Sequence, residues 1–126
     1  MRVTHVSGIV ALLTAMVCYS VASVAATAES EIEQLLEFVA QSGCEFERNG
    51  SSHSSVDAAD HLRLKYRRGK RYVSSAEQFI DRLATESSWT GKPYMVRCEG
   101  REQPSGAWLY QALEEQRSAE SGGAQD

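Results

Sequence analysis

The chain has 126 residues, of which 13 are Lys or Arg and 17 are Asp or Glu, and its net charge is −4 at neutral pH. This length leaves room for one domain. A domain of this size is only marginally stabilised by its hydrophobic core, so a covalent cross-link would be useful to it.

The N-terminal segment has the three parts of a secretory signal peptide. Arg2 supplies a positive start, residues 9–18 form an apolar run, and residues 26–28 are a small-residue cleavage site. We therefore predict that residues 1–28 are cleaved, with the neighbouring alanines as alternative cleavage sites, and that the mature protein is periplasmic. The competing interpretation is an uncleaved membrane anchor, because residues 6–28 carry no charge over a length that can cross a bilayer.

Removal of this leader leaves two of the three cysteines, Cys44 and Cys98, since Cys18 lies in the apolar run. An even number of cysteines in an oxidising compartment predicts a disulfide. The bond would close a loop of about 54 residues and would stabilise the fold by about 4 kcal/mol in the chain-entropy model. The alternative, two separate buried thiols, is more typical of a cytosolic protein.

The mature chain begins with an amphipathic helix and a short strand. Ser30 and Glu33 form a capping box, an apolar stripe at helical spacing follows them, and Gly43 is predicted to end this first helix. Alternating apolar and charged residues over 44–47 then predict a strand. The dipeptide Asn49-Gly50 predicts a tight turn after it.

The remainder of the chain repeats this alternation of helix and strand. The predicted elements are helices over about 55–68, 76–84 and 105–117, a loop over 87–93 and a strand over 94–98. Residues 118–126 contain no bulky apolar residue and are predicted to be a disordered C-terminal tail. The predicted fold is a single α+β domain over 29–117, with about four amphipathic helices packed around a two- or three-stranded antiparallel sheet and one disulfide.

Positive charge is concentrated in one run at the end of the second helix. Its members are Arg63, Lys65, Arg67, Arg68, Lys70 and Arg71. This basic run predicts either a binding patch for an anionic envelope component or envelope protein, or a solvated helix end whose cations favour the negative end of the helix. Aromatic residues beside it are limited to Tyr66 and Tyr72, which argues against a nucleic-acid partner.

Two further features suggest chemistry or recognition. Asp57 and His61 lie four residues apart on the second helix, so they can act together as a metal-binding pair or as a base and its orienting carboxylate. His53 is the one other histidine of the mature chain, whereas a catalytic zinc usually needs three protein ligands. We therefore predict no catalytic residue, metal or cofactor. Trp89, in a polar loop, is predicted either to contact a partner or to cover the core.

Several segments resemble an uncharacterised family of small exported bacterial proteins, domain of unknown function 5329. The segments are Ser42-Gly43-Cys44-x-Phe46-x-Arg48-Asn49-Gly50, His61-Leu62-Arg63-x-Lys65, Ser75-Ala76-Glu77-x-Phe79-Ile80, Ser87-Ser88-x-x-Gly91-x-Pro93-Tyr94-x-Val96-Arg97-Cys98 and Trp108-Leu109. The resemblance implies an exported single domain with its two cysteines at Cys44 and Cys98 and with no assigned activity. It also marks Arg48 and Arg97, which lie close in sequence to the two cysteines. They are predicted to form a joint anion site or, more simply, structural ion pairs with nearby glutamates.

The sequence therefore favours a non-catalytic binding or adaptor module of the cell envelope, monomeric or weakly dimeric. The first alternative is an envelope hydrolase or metal-dependent enzyme that uses Asp57 and His61, with Arg48 or Arg97 holding an anion. That alternative requires the side chains to converge on one cleft. The second alternative is an inhibitor of a secreted enzyme, which would present Trp89 or the basic run to its target.

Overall fold

The computed structural model describes residue 8, residues 15–18 and residues 27–123 of the chain. The predicted leader over residues 1–28 lies mostly outside these ranges, so its removal stays a prediction. In the part of the chain that the structure describes, no helix combines the length and the apolar character needed to cross a membrane.

The described residues form an α+β fold, as predicted, with four α-helices and one antiparallel sheet. The helices are α1 (Ala28–Gln41), α2 (Ser55–Gly69), α3 (Ala76–Phe79) and α4 (Ser105–Gly123). The strands are β1 (Glu45–Arg48), β2 (Ser51–His53), β3 (Met95–Cys98) and β4 (Arg101–Pro104). A 3₁₀ turn, Lys70–Tyr72, follows α2, and a π-helical segment, Ile80–Ala84, continues α3.

The sheet has four strands in the order β2-β1-β3-β4, at least one more than the sequence predicts. Two hairpins build it, and both turn through paired positive-φ residues, Asn49-Gly50 and Glu99-Gly100. Strand β4 escapes prediction because its residues, Arg-Glu-Gln-Pro, show no apolar alternation. It forms because β3 offers a free edge and the Glu99-Gly100 turn folds the chain back along it.

One face of the sheet packs against the helices and forms the core. Phe46 of β1 and Val96 of β3 are opposite each other in the central pair of strands, and both are buried. The Phe46 ring meets Trp108 of α4 edge to face, with 5.5 Å between ring centroids. The apolar stripe predicted for the first helix, including Ile32 and Leu36, lies in this core.

Two helix boundaries differ from those predicted. Helix α1 begins at Ala28, and Thr27 caps it by accepting a hydrogen bond from the amide of Ser30, so Ser30 is not the cap. Helix α4 does not end at Arg117 but continues to Gly123. Between Gly106 in its first turn and Gly122 it contains no proline or glycine, so the backbone hydrogen bonds can continue past the last core residue. The structure therefore shows helix over most of the segment predicted to be a disordered tail.

Arg117 ties the end of α4 to two other helices. Its guanidinium group contacts the carboxylate of Glu31 in α1 at 2.7 Å and that of Glu77 in α3 at 2.5 Å. The hydrogen bond from Arg117 lowers the pKa of Glu77, while the two carboxylates raise the pKa of Arg117. These two ion pairs fix the position of α4 one turn beyond Leu113, its last buried residue.

The predicted disulfide between Cys44 and Cys98 is confirmed, and it joins the two central strands of the sheet. The two Cα atoms are 4.7 Å apart, and the residues are separated by 54 positions in the sequence. Glu45 and Arg97, which follow and precede the two cysteines, are partners in the β1–β3 pairing. The bond therefore holds the one long-range strand pairing that unites the two hairpins.

We expect reduction of this disulfide to lower the free energy of unfolding by about 2–4 kcal/mol, because the unfolded chain regains the freedom of a long loop. Urea unfolding of the oxidised and reduced protein, followed by tryptophan fluorescence, measures the difference. The double variant Cys44→Ser/Cys98→Ser is the control, since its midpoint should not respond to the reductant. Equal midpoints for oxidised and reduced wild-type protein would contradict the prediction.

Candidate functional site

A basic cleft lies between helix α2, the end of strand β1 and the loop that leads into β3. Its volume is about 560 Å³. Three cations line it, Arg48, Lys65 and Arg68, together with the apolar side chains of Leu64 and Leu83. Among the described residues, no carboxylate side chain lines this cleft. The cleft thus combines concentrated positive charge with partial protection from solvent.

Simple backbone periodicities place the cationic side chains together. His61, Lys65 and Arg68 follow one another at spacings of four and three residues, which puts them on one face of α2. Arg48 ends β1 two residues after the buried Phe46, so it leaves the sheet on the side of the helices.

The phenol of Tyr94 contacts two of the α2 side chains, Lys65 and His61. The Nζ atom of Lys65 donates hydrogen bonds to the Tyr94 Oη at 3.0 Å and to the backbone carbonyl of Glu86 at 3.2 Å. The Nε2 atom of His61 lies 3.4 Å from the same Tyr94 Oη. Tyr94 itself is buried. A lysine ammonium has three donors, so Lys65 retains one for a ligand.

Burial and, to a lesser extent, nearby positive charge shift the pKa values of the groups in the cleft. Burial, followed by the charges of Arg48 and Lys65, lowers the pKa of His61 to about 4. Burial and then Arg48 also lower the pKa of Lys65, against an opposing effect of Glu86. Burial raises the pKa of Tyr94, and Arg48 opposes that shift. At neutral pH His61 is therefore uncharged, and an anion in the cleft would relieve the repulsion among the groups around it.

The loop after α3 closes the cleft on the side opposite α2. The hydroxyl of the buried Ser87 accepts hydrogen bonds from the amides of Trp89 and Thr90 and from the side-chain amide of Asn49. Thr90 in turn donates to the side-chain oxygen of Asn49 at 2.6 Å. Asn49 therefore connects the β1–β2 turn to this loop, and Trp89 stands at its tip with 97% of its surface exposed.

A smaller cavity of about 230 Å³ adjoins the basic cleft and shares Arg48, His61 and Tyr94 with it. Asp57 and His53 line this cavity, as do Glu47 and Phe46. The structure thus brings Asp57, His61 and Arg48 to one place, although no hydrogen bond joins Asp57 to His61 among the described side chains. No group of three or more His, Cys, Asp or Glu residues within the described ranges is arranged to hold a metal ion.

Arg97 lies elsewhere, so the joint anion site with Arg48 does not form. Arg97 is the β3 partner of Glu45, and side chains that are paired across strands share one face of a sheet. Its guanidinium group contacts Glu102 at 2.7 Å and Glu45 at 3.9 Å on the face away from the helices. Arg48 is an odd number of residues from Glu45 and points to the other face. Arg97 has the structural role that was the simpler of the two expectations.

The basic run is divided among several surfaces. Arg63 pairs with Glu37 and Asp60, each at 3.4 Å, and Lys70 pairs with Glu29 at 2.7 Å. The remaining members differ again: Arg71 stacks on the ring of Tyr72, Arg67 is exposed, and Lys65 and Arg68 line the cleft. Because a helix turns by about 100° per residue, adjacent cations in sequence face different neighbours.

Sequence reasoning missed Tyr94 and Asn49 as parts of the site. Tyr94 was assigned to a strand face, although a buried tyrosine hydroxyl needs polar partners and is therefore a signal for a nearby polar site. For Asn49 the sequence predicts a turn, and the family resemblance marks it as a motif position without indicating a role. Its side-chain amide donates a hydrogen bond to Ser87, which is 38 residues away in the sequence. No local sequence pattern predicts that contact.

We expect the protein to lose stability as the pH falls from about 6.5 to about 4, partly through His61. The unfolded state binds a proton on this residue at its ordinary pKa of about 6.5, whereas the folded state does so only near pH 4. Between these two pKa values the unfolded state binds more protons than the folded state, so the free energy of unfolding rises with pH. The contribution of His61 to stability is complete above the pKa of the unfolded state and is lost as the pH falls toward 4.

Urea midpoints of the wild type and of His61→Gln at pH 7.0, 5.5 and 4.5 measure this contribution. The variant keeps every other titrating group, so its stability should depend less steeply on pH. Parallel curves for the two proteins would show that His61 titrates alike in the folded and unfolded states.

The comparisons with known proteins give a family but no activity. The chain is 42% identical over 90 residues to the "Uncharacterized protein YfeK" of Salmonella typhimurium, an alignment that covers 71% of this chain and 73% of that protein. No solved structure matches the chain significantly. Residues 26–117, which include both cysteines and every residue of the basic cleft, match the family described as "Family of unknown function (DUF5329)". The chain therefore belongs to this family, as the resemblance of its motifs implies.

Proposed function

We propose that the protein is an exported, non-catalytic binding module of the cell envelope that holds an anionic group of its ligand or partner in the basic cleft. One observation carries the proposal. Arg48, Lys65 and Arg68 line a single cavity that no described carboxylate side chain enters.

Such an arrangement costs the fold free energy, because like charges repel and the half-buried groups are partly desolvated. Elsewhere on the described surface several cations pair with carboxylates, as Lys70 with Glu29 and Arg97 with Glu102 show. Cations without a carboxylate partner, such as Arg67 and Arg71, are exposed to solvent, whereas Arg48 and Lys65 of the cleft are only partly exposed. The unneutralised cations of the cleft are therefore best explained by a ligand that brings the negative charge. The cleft volume of about 560 Å³ falls in the range of small-molecule sites.

The leader and the disulfide support the proposed location. A signal-peptide pattern at the N-terminus and a cross-link between Cys44 and Cys98 are both expected of a protein that folds in an oxidising compartment. The proposed location is the periplasm.

The enzyme alternative has less support. Asp57, His61 and Arg48 do line one cavity, which that alternative requires. However, the partners that contact His61 and Lys65 directly are Tyr94 and a backbone carbonyl, so no carboxylate orients His61 as a base. The inhibitor alternative would present Trp89 or the basic run to a secreted enzyme. The basic run does not form one continuous patch, because Arg63 and Lys70 pair with carboxylates while Lys65 and Arg68 line the cleft.

Export can be tested by the intact mass of the protein recovered from a periplasmic extract of a Gram-negative host without reduction. We expect the mass of a chain that lacks the leader of residues 1–28 and is two hydrogens lighter than its reduced form. Full-length protein that stays in the cytoplasmic or membrane fraction would overturn the proposed location.

Anion binding can be tested with inorganic phosphate by following the ¹H–¹⁵N NMR spectrum. We expect phosphate to shift the amides around Tyr94 and to raise the pKa of His61, because a bound anion favours the charged imidazolium. Arg48→Gln should weaken phosphate affinity about tenfold, the effect of losing one charge-assisted hydrogen bond.

The matched control is Arg67→Gln. It removes the same charge from the exposed surface of α2 without touching the cleft, so affinity should stay within about twofold of the wild type. Equal losses in the two variants would mean that phosphate responds only to net charge. That result, or the absence of any phosphate-dependent shift in the wild type, would overturn the proposal.

A further inference from the structure

The loop that borders the basic cleft presents Trp89 to solvent. The indole is 97% exposed, whereas the other tryptophan, Trp108, is 8% exposed in the core. Leaving so large an aromatic surface in water forgoes favourable burial. An exposed tryptophan is common in recognition surfaces, where a partner covers it.

The loop holds Trp89 in this position through a dense set of hydrogen bonds. The amide of Ser87 donates to the carbonyl of Lys92, and the amide of Gly91 donates to the carbonyl of Ser87, both at 2.9 Å. Gly91 adopts a φ of 69°, which a side chain would disfavour. With the Asn49 bridge described above, these contacts hold the backbone of the loop, so a ligand does not have to order the loop that carries the indole.

Trp89 and the cations border the same cavity. The lining of the basic cleft runs from Arg48 and Lys65 to Ser88 and Trp89. A ligand of the size that the cleft admits can therefore place a charged group beside the cations and a ring against the indole at the same time. The cleft thus has an anionic subsite and a neighbouring aromatic platform.

The surroundings of the indole are polar. Hydroxyl groups flank it in the sequence at Ser88 and Thr90, both exposed, and the side-chain amide of Asn49 lies beside Thr90. A sugar ring suits this combination, because its C–H face packs on the negative face of an aromatic ring while its hydroxyls meet the polar rim. An aryl ligand without hydroxyl groups would offer the polar side chains around Trp89 no hydrogen-bond partner.

From these features we infer that the ligand of the basic cleft is an anionic sugar, whose ring stacks on Trp89 and whose phosphate or carboxylate is held by Arg48 and Lys65. The inference rests on the proposed function and specifies its ligand class. Phosphorylated and carboxylated glycan units share this chemistry, and the experiment below distinguishes them.

The experiment measures the affinity of the full protein for six probes by NMR titration. Glucose 6-phosphate and glucuronate carry both features, inorganic phosphate and acetate carry only the anion, glucose carries only the ring, and phenyl phosphate replaces the sugar with an aryl group. We expect at least one anionic sugar to bind fivefold to tenfold more tightly than its bare anion. Glucose should bind more weakly than either anionic sugar. The anionic sugar that shows the gain identifies the phosphate or the carboxylate source.

The variant Trp89→Ala should abolish the advantage of the sugar while leaving the affinity for the bare anion within about twofold. Trp89→Phe should retain part of the advantage, since it keeps an aromatic face. Tyr72→Ala is the matched control, because it removes another exposed aromatic side chain outside the cleft and should change nothing. In the wild type, binding should also shift the tryptophan emission to shorter wavelength as the indole is covered.

The outcomes separate this inference from the proposed function. If phosphate binds in an Arg48-dependent way but the sugars bind no more tightly than their bare anions, the inference falls and the anion site stands. Tighter binding of phenyl phosphate than of glucose 6-phosphate would also overturn the inference, in favour of an aryl ligand. If no anion binds the wild type, the proposed function fails and the inference fails with it.

Discussion

The pairing of β1 with β3, cross-linked by Cys44 and Cys98, is the constraint on which the remaining structure depends. The two strands come from opposite ends of the domain, and each brings its own hairpin. Once they are paired, the residue that ends β1, Arg48, and the residue that precedes β3, Tyr94, lie on the same side of the sheet. Helix α2 packs against this side and adds His61 and Lys65. The cleft is therefore a consequence of one long-range strand pairing and of the helix that covers it.

The cations of the fold differ in whether a carboxylate neutralises them. Arg97 pairs with Glu102 on the outer face of the sheet, and Lys70 pairs with Glu29 of α1. The charges of these two cations are therefore balanced within the fold. In the cleft, Lys65 is instead bonded to a phenol and to a backbone carbonyl, both neutral acceptors. Burial, followed by the charge of Arg48, lowers the pKa of both His61 and Lys65.

Much of the fold could be predicted because its signals are local. Helical periodicity identified the buried stripe of α1, and the Asn49-Gly50 dipeptide identified the first hairpin turn. Strand β4 could not be predicted, because it is held by its neighbour and not by its own pattern. The candidate site was predicted only in part. Arg48, His61 and Trp89 were singled out, but Arg97 was grouped with Arg48, since sequence distance from a cysteine does not tell which face of a sheet a side chain occupies.

The sequence by itself determined the fold class, the disulfide and the chemical types available for binding, because helix periodicity, turn residues and a cysteine pair act over short or countable distances. Only the tertiary structure decided which cations act together. The basic run is continuous in the chain, yet the helix directs Lys65 and Arg68 into the cleft and Arg63 and Lys70 toward carboxylates. Tyr94 and Asn49 join that cleft through hydrogen bonds to residues 29 and 38 positions away in the sequence, which only the packed backbone brings within reach.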